Sequence, residues 1–525
     1  MSSPTDTAAW HALRSHSAHF REGNSRLSGL FAADPSRADM FSRQHDNLLL
    51  DFSRNYITED TLTLLLELAR EQNVPSAITS MFAGDNINSS EARPALHIAL
   101  REPETNHRFP ELTVALARMA RLVDSIRKGD WVGYSGMPIR DVVNLGVGGS
   151  DLGPALVVSA LERPNARDIA VHFVSNIDPA QLAMTLARLN PETTLFIVAS
   201  KSFTTLETRH NAELCKQWLQ EHCADSAATA RHFVAVTTNT EAALAFGIAA
   251  DNLLPMWDWV GGRFSVWSAI GLPIALRLGM DSFRQLLAGA NAMDRHFQNA
   301  ELADNLPVLL ALLNVWYRGF FDSHSQAVVP YCERLRLLPA YLQQLSMESL
   351  GKSVDHAEQP VAMSTGEPVW GTVGTDIQHS CLQLLHQGTE FIPVDLIAIA
   401  QPTDSTNIAA HQHLLANCLS QGMALMQGHA DTQQPSRAIA GNKPSNTLLL
   451  SALTPYNLGS LLALYEHKVF VQSVIWDINA FDQWGVELGK RLSQDVYAAL
   501  SEGADATVLD ASTARLIAAV NAWKR

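Results

Sequence analysis

Four hydroxyls and one ammonium crowd into the segment Val198-Ala-Ser-Lys-Ser-Phe-Thr-Thr-Leu-Glu207: Ser200, Lys201, Ser202, Thr204 and Thr205. An apolar run precedes them and a helical pattern follows, so the cluster falls where a strand gives way to a helix. There the unsatisfied N–H groups and positive dipole end of a helix favour a dianion, and the segment suits a phosphate. Ordinary helix capping needs only one of those hydroxyls. A second turn, Asn144-Leu-Gly-Val-Gly-Gly-Ser-Asp-Leu-Gly153, also joins an apolar strand to an apolar helix. It fails both nucleotide templates. Asp151 stands where G-x-G-x-x-G counted from Gly146 needs glycine, and Pro154 where a P-loop counted from Gly148 needs lysine. What remains is a tight turn in which backbone at Gly149 and the Ser150 hydroxyl can approach a ligand closely.

Three further segments carry groups able to do acid–base or electrostatic work. In Trp259-Val-Gly-Gly-Arg-Phe-Ser-Val-Trp-Ser268, Gly261 and Gly262 expose backbone beside Arg263. A guanidinium stays charged near neutral pH, so it can stabilise developing negative charge without acting as an acid; a surface salt bridge is the plainer alternative. In Leu342-Gln-Gln-Leu-Ser-Met-Glu-Ser-Leu-Gly351, a helical spacing puts Gln344 and Glu348 on one face, with Leu345 and Met347 near. A glutamate among apolar groups can be tuned to serve as a base, though a solvated helix glutamate is the commoner outcome. His379, at the expected start of a helix after Asp376, is a candidate proton-transfer group. Gln483 and Lys490 are expected two turns apart along one helical face of Ala480-Phe-Asp-Gln-Trp-Gly-Val-Glu-Leu-Gly-Lys490. His386, His411 and His413 do not show strong metal-site spacing, so no metal is expected.

The elements that would position these groups alternate. Asp141–Leu145, Ile169–Ser175, Leu195–Ala199 and Phe233–Thr237 read as short strands separated by helical segments, which implies parallel strands with crossover helices. A helix at Pro307–Phe321 follows. The alternation then resumes with strands at Ala327–Pro330 and Phe391–Ile399 and helices near 339–350, 407–427 and 455–472. The expected organisation is a mostly helical segment over 1–115, α/β domains over 116–285 and 286–510, and a helical tail over 511–525. The apolar run Asn47–Phe52 is expected to serve packing. The uncharged stretch between Lys443 and Glu466 is interrupted by Pro444, Asn446, Pro455, Asn457 and Gly459, and reads as a buried turn leading into a helix rather than a membrane span.

Composition narrows the function. With 47% hydrophobic and 17% charged residues, the chain is that of a folded globular protein. A formal charge of −15 opposes a nucleic-acid or anionic-membrane partner, both of which reward a basic surface. Five scattered cysteines with no Cys-x-x-Cys pair fit a reducing, cytoplasmic setting, and the opening residues lack a secretory pattern.

In order along the chain, from about residue 50 to residue 492, these segments resemble the glucose-6-phosphate isomerase family. Val260-Gly-Gly-Arg-Phe-Ser265 and Phe481-Asp-Gln-Trp-Gly-Val-Glu-Leu-Gly-Lys490 look like that family's signatures. The resemblance implies an α/β chain of two α/β/α sandwich domains of the sugar-isomerase type, with parallel-rich sheets and helical N- and C-terminal extensions. It implies a homodimer in which His379 reaches the neighbouring site, a phosphosugar substrate, no cofactor, and a place in glycolysis and gluconeogenesis. By similarity Ser150, Ser200, Lys201, Ser202 and Thr205 bind phosphate, Gly149 and Gly262 offer backbone to the sugar, and Gln344 and Gln483 bind substrate. His379 and Lys490 would assist ring opening, Arg263 would stabilise an enediolate, and Glu348 would be the base. Leu350 stands where family members commonly have asparagine, and Ser202 where threonine is frequent. Two rivals remain on the residues alone. A phosphosugar-binding regulator would need the hydroxyl cluster but not Glu348, Arg263 and His379 together, and a nicotinamide-linked dehydrogenase is disfavoured by the failed glycine fingerprint.

Overall fold

The computed structural model describes residues 3–21, 26–162, 169–223, 225, 227–403, 406–501 and 509–524. It divides into a large unit ending at Ala480 and a small one, Phe481–Arg525. Among the described residues, eleven strands lie in the large unit: β1 Ser42–His45, β2 Leu48–Arg54, β3 Asp141–Leu145, β4 Ala170–Val174, β5 Thr194–Ala199, β6 Phe233–Thr237, β7 Leu253–Pro255, β8 Gln326–Tyr331, β9 Val369–Trp370, β10 Val394–Ile399 and β11 Ser445–Leu450.

The first sheet has the order β4-β3-β5-β6-β7 and is parallel throughout. Every residue of β5 and β6 is buried, as the unbroken apolar run Leu195–Ala199 requires of strands covered on both faces. The helix Leu206–His222 contributes Ala212, Cys215 and Leu219 to the core on one side, against Phe196 and Phe233, whose rings stack with centroids 4.9 Å apart. From β3 the chain passes to β4 on one side and then to β5 on the other. The loops after β3 and β5 therefore leave the sheet in opposite directions and open a crevice at their carboxyl ends.

The second sheet runs β1-β2-β11-β10-β8-β9, with β11, β10, β8 and β9 parallel and β1 and β2 antiparallel. The run Asn47–Phe52, expected only to pack, thus supplies a strand that pairs with β11. Its alternation of buried Leu48, Leu50 and Phe52 with less buried Leu49 and Asp51 explains why it prefers a sheet. The stretch after Lys443, expected as a turn, is strand β11, because Thr447–Leu450 is apolar enough to be buried between β10 and β2 despite Pro444 and Asn446 at its entrance. The helix Pro455–Ile475 follows. It is buried from Asn457 to Ile475 and holds three consecutive charged or ionisable side chains, Glu466, His467 and Lys468, in its middle. Among the described residues no helix is long and apolar enough to cross a membrane. The five cysteines are unpaired.

Among the described residues of the small unit, a 3-10 turn, Trp484–Val486, precedes the helices Glu487–Ser501 and Ala511–Trp523, the last capped by Asp510, which accepts from Ser512 N and Thr513 N.

Candidate active site

Three of the singled-out segments meet at one point. In the turn after β3, Gly148 takes φ +57, and a Cβ on Gly149 would collide with the Gly262 carbonyl, so the two glycine-bearing turns pack backbone to backbone. Ser265 Oγ donates to Gly262 O at 2.6 Å and locks the second turn. Arg263 is buried (1% exposed) rather than at the surface, and its Nη1 lies 3.3 Å from Glu348 Oε1. Its Nε donates to Ser349 Oγ at 2.7 Å and its Nη2 to the Ala480 carbonyl. Gln344 Nε2 donates to Glu348 Oε2 at 2.9 Å and also faces Gly148. The carboxylate is thus gripped on both oxygens and is 23% exposed, open to a ligand on its remaining side.

The helix expected near 339–350 is α-helical only over Leu338–Gln343; Gln344–Glu348 forms a π-helical turn. The wider turn lets the backbone bulge locally, a form found mostly at functional positions. It keeps Leu345 and Ser346 buried while Glu348 faces Arg263 and Gln344 faces Glu348. The expected apolar setting of Glu348 is corrected accordingly: Met347 is exposed, and amide and guanidinium flank the carboxylate instead.

The hydroxyl cluster sits in the loop after β5, beside the glycine turn, where a Cβ on Gly146 would touch the Ala199 side chain. Thr205 is the N-cap of Leu206–His222, yet no side-chain cap bond is made, so its hydroxyl is directed elsewhere. Ser200 Oγ donates to it at 3.2 Å, and the Ser202 and Thr204 hydroxyls share a bond of 2.7 Å. Phe203 is held at φ +59 with its ring buried in the sheet's core, an uncommon conformation for a bulky residue that fixes the loop's path. Lys201 reaches the other turn, its Nζ donating to Asp258 O at 2.9 Å and Val260 O at 3.3 Å. Burial, aided by the nearby Arg93 charge, holds its ammonium below the usual lysine range. An anion seated among these hydroxyls would restore it.

A buried carboxylate ties the scaffold together. Glu466 accepts from Trp267 Nε1 at 2.9 Å, from Tyr341 OH at 3.3 Å and from Arg101 Nη2. Trp267 lies four residues after Arg263 and Tyr341 three before Gln344, so one side chain fixes both segments of the site. Burial pushes the Glu466 carboxyl up to about 7 against the pull of Arg101.

His379 does not join this cluster. His379 caps the C-terminus of the short helix Gly374–Gln378 instead of starting a helix, and its side chain is exposed. Among the described residues no hydrogen bond links it to Glu348, Gln344 or Arg263. Gln483 and Lys490 belong to the small unit. They do not share a helical face: Gln483 has φ −151 and precedes a 3-10 turn, Trp484–Val486, before the helix begins at Glu487. Lys490 Nζ pairs there with Glu487 Oε1 at 2.7 Å. Ser150 closes the first turn, its carbonyl accepting from Asn144 Nδ2 at 3.0 Å. Ser349, the Ala480 carbonyl and Glu466 were not foreseen. Only Ser349 carried a signal, as a polar residue next to the candidate base.

The geometry defines a class first: an α/β protein that pairs a phosphate-suited hydroxyl loop with a carboxylate set against a fixed guanidinium. The fold matches the crystal structure of a glucose-6-phosphate isomerase from Chlamydia trachomatis, with a TM-score of 0.87 and 31% identity over 99% of this chain and 100% of that one. The chain belongs to the phosphoglucose isomerase family, whose profile it matches over residues 51–517. It is 47% identical to glucose-6-phosphate isomerase 1 of Chromobacterium violaceum over 98% of each chain. It is 49% identical to that of Thiobacillus denitrificans over 97% of each.

Proposed function

We infer that this chain catalyses the reversible isomerisation of D-glucose 6-phosphate and D-fructose 6-phosphate. The observation that carries the reading is the Glu348 carboxylate held between Gln344 and the buried Arg263, beside a hydroxyl loop suited to a phosphate. Exchange between an aldose and a ketose needs a base to carry a proton between carbons 1 and 2 and a positive group for the enediolate oxygens. Glu348 takes the first role and Arg263 the second. Ser150, Ser200, Lys201, Ser202 and Thr205 hold the phosphate, whose binding energy fixes the distant carbons against the base. Gly149, Gly262, Gln344 and Gln483 orient the sugar.

Ring opening falls to Lys490 together with His379 of the partner subunit in a homodimer, and the exposure of His379 suits a residue that acts outside its own chain. In this reading the first sheet belongs to a sugar-isomerase sandwich over 116–285 and β8 to β11 of the second to another over 286–510, with 1–115, which lends β1 and β2 to that second sheet, and 511–525 as extensions, and the enzyme works in the cytoplasm. The test is a coupled assay of fructose 6-phosphate formed from glucose 6-phosphate by the purified chain, without added metal or nicotinamide in the primary reaction. Binding of the sugar phosphate without turnover would favour the regulator over the enzyme.

A further inference from the structure

Glu367 is a buried carboxylate that the mechanism does not use. Every residue from Ser353 to Ser364 is exposed or half-buried, and the chain re-enters the core at Thr365 and Glu367. Glu367 is 6% exposed. Its Oε1 accepts from Asn314 Nδ2 at 2.6 Å and its Oε2 lies 3.9 Å from Arg318 Nε, with the Lys468 ammonium and the Asp395 carboxylate as the other charges near it. Arg318 Nε in turn donates to the Thr365 carbonyl at 2.8 Å. Asn314 and Arg318 lie one turn apart on the helix Leu306–Phe320, so the anchor is a single rigid element. A buried ionic group seldom stabilises a fold more than an apolar side chain of its volume, and its best-attested use is to fix register.

The register at stake is that of Thr365–Glu367 against the residues that follow Glu348. Gly366 N donates to Leu350 O at 3.0 Å, and Thr365 Oγ1 donates to Lys352 O at 2.8 Å. A Cβ on Gly366 would stand 2.7 Å from Leu350 Cβ and 2.8 Å from its carbonyl carbon, so glycine is required at this crossing. A slip of one residue would bring Thr365 or Glu367, each with a Cβ, onto the same backbone. Residues 349–352 are held from the other side too. Ser349 Oγ accepts from Arg263 Nε at 2.7 Å, and Lys352 Nζ donates to Asn479 O at 2.7 Å, next to the Ala480 carbonyl that accepts from Arg263 Nη2. The chain just past Glu348 is thus clamped between Arg263 and the segment Thr365–Glu367.

We propose that Glu367 is a positioning residue for the isomerisation: it pins Gly366 behind Leu350 and thereby holds the Glu348 carboxylate against Arg263. The inference rests on Glu348 being the base. Glu367 acts through Gly366 and Leu350 rather than on the sugar, and the effect on rate follows from geometry, since a misplacement of about 1 Å at a reacting group can cost about 10²-fold.

The test reads kcat and KM for glucose 6-phosphate in the purified full-length protein. Gly366→Ala pushes on Leu350 without removing any partner of Glu367. It should lower kcat at least about tenfold with KM kept within about twofold. In a Glu348→Gln background the same substitution should cost no more than about threefold, because the base it would displace is already gone. Glu367→Gln keeps an oxygen for Asn314 but drops the charge facing Arg318 and Lys468, and should lower kcat about threefold or more at unchanged KM. That variant carries the test alone if Gly366→Ala does not fold. Full kcat in either folded variant, or a Gly366→Ala cost that is the same with and without Glu348, overturns the proposal. The base reading fails separately, on near-normal turnover of Glu348→Gln by itself.

Discussion

Replacing Glu348 by glutamine exchanges one oxygen for an amide nitrogen and tests the base without emptying the site. In the wild type Oε1 faces Arg263 Nη1 at 3.3 Å and Oε2 accepts from Gln344 Nε2 at 2.9 Å. The variant's remaining oxygen can still face Arg263, and Gln344 can turn its own amide to present an acceptor to the new N–H. Arg263 keeps its bonds to Ser349 and the Ala480 carbonyl. Because Arg263 is buried, loss of its counter-charge costs more than loss of a surface pair, ~1–5 kcal/mol. The thermal midpoint should fall by no more than about 10 °C. The cost to turnover is a separate quantity. Losing a positioned base removes ~10²–10⁴ in rate, which is about 3–5.5 kcal/mol at 1.36 kcal/mol per factor of ten. The assay is the coupled conversion of glucose 6-phosphate, with 6-phosphogluconate binding measured alongside. The expected result is a kcat lowered by at least about a hundredfold with inhibitor affinity kept within a few-fold. A kcat within tenfold of wild type would refute the assignment. A loss of inhibitor binding in step with kcat would show that Glu348 holds the ligand rather than moving its proton.

Lys201→Ala should raise KM for the phosphorylated sugar by more than it lowers kcat, since Lys201 reaches the Asp258 and Val260 carbonyls and not Glu348; an unchanged KM would move the phosphate elsewhere. Arg263→Lys keeps the charge but not the three-way geometry to Ser349, Ala480 and Glu348, and steady-state kinetics should show kcat down by about 10²–10³. Mixing His379→Ala with Glu348→Gln subunits should restore activity, because one site of the heterodimer then pairs an intact Glu348 with an intact His379; no recovery after subunit exchange would exclude a shared site. Asp151 gives a pH signature: burial raises its carboxyl from 3.8 to about 6, and Oδ1 is without a hydrogen-bond partner. Its folded form holds the proton more tightly than the unfolded chain, so its contribution is full below about 3.8 and is lost as pH rises toward 6. Denaturant titrations of Asp151→Asn should show this slope removed and stability at pH 7 higher by ~1–3 kcal/mol.

Strands that are wholly apolar were legible. β3 and β6 begin and end where the sequence places them, since nothing else in those runs could bury Val142–Leu145 or Phe233–Val236. β11 was not, because its partners are 50 and 400 residues away in sequence and local signals at Pro444 and Asn446 point to a turn. The Gln344–Glu348 spacing was read correctly as one face, but the π-helical turn that presents it has no sequence pattern of its own. For Gln483 and Lys490 the seven-residue spacing misled: Gln483, at φ −151 and ψ 43, and the 3-10 turn Trp484–Val486 both precede the helix that begins at Glu487. The hydroxyl loop was visible in composition, whereas the left-handed Phe203 that shapes it was not, since phenylalanine seldom adopts that conformation.

The pairing of β2 with β11 sets a schedule for synthesis. Leu50 lies opposite Leu448, so the second sheet cannot close on its antiparallel side until nearly the whole chain has emerged. At about 5–20 residues per second the intervening ~400 residues take ~20–80 s to appear. Throughout that time Leu48-Leu-Leu-Asp-Phe-Ser-Arg54 waits without its central neighbour, guarded only by Asp51 and Arg54 against pairing with another nascent copy. One of the first strands to be made is thus exposed on the ribosome for most of the chain's synthesis, held back from its final partner until β11 emerges.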